Sequence, residues 1–72
     1  MTNFERFQEY GRLRQIAKDA DPYALVFEEK EKLYIALSTG QIVRAGKFRH
    51  MKDHTVLTWL QLLFNIGFKR TA

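Results

Sequence analysis

The chain has 72 residues, no cysteine, and a formal net charge of +4 from 12 basic and 8 acidic side chains. At 46% hydrophobic and 14% aromatic it is too apolar for a disordered tail, and its length fits one small domain. A chain this short buries only about 60% of its unfolded surface, and without cysteine neither a disulfide nor a thiolate zinc site can supplement its core.

Residues 3–19 read as a helix. Phe7, Tyr10, Leu13, Ile16, Ala17 and Ala20 recur on one half of a 3.6-residue wheel, and Gln8, Gly11, Arg12, Gln15, Lys18 and Asp19 fill the other. Thr2 or Asn3 is placed to cap it, with Glu5 in the first turn, where negative charge is favoured. Asp21 followed by Pro22 ends it, because a residue before proline is pushed out of helical geometry. Residues 23–27 alternate as a strand, 28–32 form a charged hairpin loop, and 33–37 form a second strand. A tight connection at 38–40 leads to a third strand at 41–45.

Register follows from which side chains can share a core. Opposing Phe27 to Leu33 across the charged loop also opposes Leu25 to Ile35 and Tyr23 to Leu37, and puts all six on one face. In the second hairpin, a two-residue loop pairs Ile35 with Arg44 and drives the arginine inward. A three-residue loop with left-handed Gly40 pairs Ile35 with Val43 and keeps the face apolar, so it is preferred. The reverse face then carries Ala24, Val26, Glu28, Tyr34, Ala36, Ile42 and Arg44.

A basic connector, 46–52, leads to a second helix starting near Asp53. Val56, Leu57, Trp59, Leu60, Leu63, Phe64 and Ile66 share its broad side, with Leu62 at the margin of a narrow polar strip. That is more apolar surface than a lid on a three-stranded sheet requires. Gly67 is expected to close the helix, with Phe68 folding back on Leu63. The fold expected is α+β in the order α-β-β-β-α: a three-stranded antiparallel meander with two helices on one face. Double-stranded-RNA-binding domains share that order, but Asp53, His54, Thr55, Val56 and Leu57 stand where that family has a lysine-rich helix start, so membership is not assigned.

No residue set names a reaction. His50, Asp53 and His54 have ligand chemistry, but Asp53 suits a helix cap, which leaves His50 outside the helix, and nothing else completes a metal shell. Ser38 is the lone serine and sits in a turn. Glu28 and Glu29 lie in the charged loop, where nothing tunes a general acid. The four glycines are scattered and make no phosphate-cradling loop. The expectation is a non-enzyme with no catalytic residue, metal or cofactor.

The leading expectation is a small binding protein of regulator, adaptor or inhibitor type. Tyr34, Ile42 and Arg44 of the sheet, with Arg49 and Lys52 of the connector, would meet an acidic or mixed protein surface. A homodimer is compatible with it. The alternative is a nucleic-acid-binding module using connector 44–52 and the first helix. Arg12, Lys18, Arg44, Lys47, Arg49 and Lys52 would contact phosphates, and Phe48 would stack on a base. The start, Met1 to Arg6, lacks a basic region followed by an apolar run, and no apolar run approaches the ~20 residues of a membrane span. A cytoplasmic location is therefore expected.

Overall fold

The computed structural model describes residues 2–71, with side chains described from Thr2 to Ile66. Helix α1 (Asn3–Ala20) precedes strands β1 (Leu25–Glu29), β2 (Lys32–Ala36) and β3 (Ile42–Arg44). A 3₁₀ turn (Ala45–Phe48) then leads to α2 (Asp53–Thr71). The strands form an antiparallel meander in the order β1-β2-β3. Helix α1 lies across β1 and β2, and α2 packs on α1, so both helices cover one side of the sheet. Among the described residues no helix is long and apolar enough to cross a membrane.

Thr2 and Glu5 start α1 as a reciprocal cap. The Glu5 N–H donates to Thr2 Oγ1 at 3.1 Å, and the Thr2 hydroxyl donates to Glu5 Oε1 at 3.1 Å. The Thr2 hydrogen bonds, with a smaller contribution from Arg49, hold the Glu5 carboxyl below its usual range. At the other end Asp21 leaves helical geometry, and its N–H donates to the Ala17 carbonyl at 2.8 Å.

The second hairpin has the expected geometry. Ile35 pairs with Val43, the Leu37 N–H donates to the Gln41 carbonyl at 2.8 Å, and Gly40 takes φ +95°. The first hairpin is one residue out of the expected register. Its turn is Lys30-Glu31 alone, with φ of +51° and +64°, and Glu29 pairs directly with Lys32. Two consecutive left-handed residues make the turn whose twist matches a two-residue hairpin. Pairing then runs Glu28 to Leu33, Phe27 to Tyr34, Val26 to Ile35 and Leu25 to Ala36. A shift of one inverts every side chain of a strand. Ala24 and Val26 therefore face the core, whereas Leu25, Phe27 and Tyr23 do not, contrary to the sequence expectation.

The core draws on every element. Leu13, Ile16 and Ala17 of α1 meet Leu33, Ile35, Leu37 and Val43 of the sheet and Val56 and Leu60 of α2. Phe48, fully buried, adds a whole ring from the connector. Ala24 and Val26 belong to the same buried cluster. Phe7, expected inside, is exposed near the start of α1. Helix α2 also departs from expectation at its end: it continues through Gly67 to Thr71. A glycine inside a helix costs about 1 kcal/mol and does not by itself stop it. The expected contact of Phe68 with Leu63 lies outside the described side chains.

Asp21 is the one fully buried charged residue among those described. Its carboxylate accepts the Tyr23 N–H at 3.1 Å and the Ser38 N–H at 2.7 Å, which ties the helix exit to the β2–β3 loop. Burial alone would raise this carboxyl, but the Ser38 and Tyr23 hydrogen bonds outweigh it and hold it below the ordinary 3.8.

Two outcomes follow. Replacing Lys30-Glu31 with asparagine-glycine relieves left-handed strain of about 1–2 kcal/mol in total and raises the melting temperature, measurable by circular dichroism. Asp21→Asn destabilises by roughly 1–3 kcal/mol at neutral pH, because a carboxamide replaces an ion that accepts two buried N–H groups. A folded-state pKa below the unfolded one stabilises above the unfolded value. The wild-type advantage is therefore complete at neutral pH and shrinks in urea titrations as the pH falls below 3.8 toward the folded-state value.

Candidate functional site

The sheet's outer face is a grid set by the two registers. Leu25, Ala36 and Ile42 align as one row across the strands, and Phe27, Tyr34 and Arg44 as the next. Leu25 is 67% exposed and Ile42 64%, while Phe27, Tyr34 and Ala36 are half-buried. The Phe27 and Tyr34 rings stack at 5.3 Å between centroids and 19° between planes. Each turns one face to the other, so the pair forms a ridge rather than an open platform for bases. Both helices lie on the opposite side.

A second apolar strip runs along α2. Val56 and Leu60 point into the core, whereas Trp59, Leu62 and Ile66 are each about half exposed. Their spacing of three and four residues places them on one stripe. Lys47 joins this strip to the connector, with its Nζ 5.8 Å from the Trp59 ring centroid and 5.5 Å from that of Phe48.

Charge pairing leaves an uneven remainder. Arg49 pairs with Glu5 at 2.8 Å and Arg6 with Glu28 at 3.1 Å. Arg12 bonds Glu9 at 2.8 Å and Asp53 at 2.6 Å, and also donates to the carbonyls of Phe48 and Met51. Partial burial works against this guanidinium's charge, but the bonds to Asp53 and Glu9 outweigh it and raise its pKa. Among the described residues Arg14, Lys18, Lys30, Lys32, Arg44, Lys47 and Lys52 have no carboxylate partner, and the last three are close together in the chain.

Of the residues singled out in the sequence, Tyr34, Ile42 and Arg44 come together on the outer face. Lys52 is exposed just before α2, and Arg49 is engaged by Glu5. The proposed phosphate-binding set is dispersed. Arg12 is held in its internal network. Lys18 sits in the last turn of α1, where positive charge suits the helix C-terminus. It lies about 20 Å along the helix from Glu5, to which Arg49 is tied. Phe48 is buried and has no face free to stack on a base.

The residues weighed for chemistry also fall apart. His50 stands in the turn before α2 and His54 in its first turn, and no three His, Asp or Glu side chains converge among the described residues. Asp53 does not cap α2. The Thr55 and Val56 N–H groups donate to the Lys52 carbonyl, and the Asp53 carboxylate takes Arg12 instead. Ser38 serves Asp21 through its backbone N–H. Glu28 and Glu29 are strand neighbours whose side chains point to opposite faces.

Leu25 and Phe27 are the surface residues that sequence reasoning missed. The available signal was charge: placing Glu29 opposite Lys32 sets unlike charges across the two strands and leaves two residues for the turn. Comparisons with protein-family models, with curated proteins and with solved structures each return no match.

Arg12→Lys tests whether geometry or charge fixes the connector. Lysine keeps the charge but cannot serve two carboxylates and two carbonyls at once. The expected loss is about 2 kcal/mol in chemical denaturation, against no measurable loss if charge alone matters.

Proposed function

We propose that this protein is a non-catalytic binding module that docks a protein partner on the outer face of its sheet. The observation carrying this reading is the exposure of Leu25 and Ile42 in the row beside the Phe27–Tyr34 ridge, with Arg44 at the end of the ridge's own row. Adjoining apolar side chains left open to water are characteristic of interfaces. Tyrosine and arginine are types that dominate binding energy once desolvated. The unpaired Lys47 and Lys52 suit an acidic or mixed partner surface and would speed encounter. A regulator, adaptor or inhibitor in the cytoplasm fits these features, and a second copy of the chain is the alternative occupant.

The non-catalytic part rests on the scattered chemistry described above. Nucleic-acid binding by connector 44–52 is the second reading, favoured by the unpaired Arg44, Lys47 and Lys52. Burial of Phe48 and the engagement of Arg12 weigh against it.

Affinity capture from a lysate of the source organism, with and without nuclease, separates the two. Leu25→Asp and Ile42→Asp alter exposed positions and cost little stability. Each is expected to abolish nuclease-resistant capture while leaving the melting temperature within a few degrees of wild type. A folded variant that captures as wild type does would overturn the reading. Recovery lost on nuclease treatment would favour the second. Analytical ultracentrifugation of the purified chain tests the homodimer.

A further inference from the structure

The two edges of the sheet differ in charge. In an antiparallel ladder, residues whose N–H and C=O bond across alternate with residues whose groups point outward. The Leu37 N–H donates to the Gln41 carbonyl at the loop end of the hairpin. Counting from that pair, Val43 bonds β2 at its pair with Ile35, and the backbones of Ile42 and Arg44 face away from the sheet. No strand lies beyond β3 among the described residues. An open groove of about 450 Å³ runs beside this edge, lined by Gln41, Ile42, Val43, Arg44, Lys47 and Leu63. It holds no acidic side chain, and its two cations have no carboxylate partner among the described residues. The opposite edge, β1, carries Glu28 and Glu29.

We propose that the β3 edge binds an acidic, extended segment of a partner protein, which adds to the sheet as a fourth strand. The Ile42 and Arg44 backbones pair with it. Its carboxylates meet Arg44 and Lys47, and its apolar side chains lie against Ile42 and Leu63. A three-residue strand offers too few main-chain bonds to hold a peptide unaided. The cations must therefore contribute, which is why the segment is acidic. This inference rests on the binding-module reading and names the chemistry of the partner.

The test uses the full chain and a dye-labelled, end-blocked heptapeptide that alternates valine with aspartate or glutamate, followed by fluorescence anisotropy at low salt. Saturable binding is expected, weakened about tenfold or more by Arg44→Glu combined with Lys47→Glu. A comparable loss is expected when alternate peptide amides are N-methylated at unchanged charge. Ile42→Pro, which removes an outward-facing N–H and no bond of the β2–β3 ladder, should weaken binding too. Circular dichroism checks that each variant is folded.

No binding by the wild type, equal binding of the N-methylated peptide, or equal binding of a lysine-substituted peptide overturns the proposal. Tighter binding of a single-stranded oligonucleotide of equal charge overturns it in favour of nucleic acid. If the peptide fails while nuclease-resistant capture persists and still depends on Leu25, the edge proposal falls and the binding module stands. If both fail, both fall.

Discussion

Lys30 and Glu31, both left-handed, set the separation between Glu29 and Lys32 and therefore the register of β1 against β2. That register sends Ala24 and Val26 inward and turns Leu25 and Phe27 to water. The exposed grid, the stacked ring pair and the apolar border beside Arg44 all depend on it. With a one-residue slip, Val26 would take the outer position and the Phe27–Tyr34 stack could not form.

A thin core makes polar pins important. Arg12 joins α1 to two carbonyls of the connector and to the first residue of α2, so a segment with no regular ladder of its own acquires fixed partners. Asp21 does the same at the far end of α1, holding the β2–β3 loop through Ser38. Both are charged groups in protected settings, where losing a partner costs more than the bond itself contributes. Between these pins Phe48 enters the core, which explains how an aromatic residue set among cations became structural.

The same pins shape the electrostatics. Glu5, Glu9, Glu28 and Asp53 are engaged by arginines, and Asp21 is buried. Of the described cations without a carboxylate partner, Arg14, Lys18, Lys30 and Lys32 lie elsewhere, whereas Arg44, Lys47 and Lys52 follow one another along one stretch of chain. Those last three lie along β3 and the connector, next to Ile42 and the exposed strip of α2. Apolar and cationic surface meet there, and that juxtaposition underlies both functional proposals.

Local chemistry alone was enough for the element order, the α1 cap and the β2–β3 hairpin. Thr2 with Glu5, Pro22 after Asp21, and Gly40 in its turn are short-range signals whose physics is complete within a few residues. Tyr34, Ile42 and Arg44 were legible as one face because β2–β3 register follows from keeping Arg44 out of the core. Strand β1 was not legible: both of its faces are apolar, so alternation could not choose between them. The choice was made by the turn, whose two left-handed residues fix Glu29 opposite Lys32. The roles of Arg12 and Asp21 were likewise hidden, because their partners lie in segments that only folding brings alongside them.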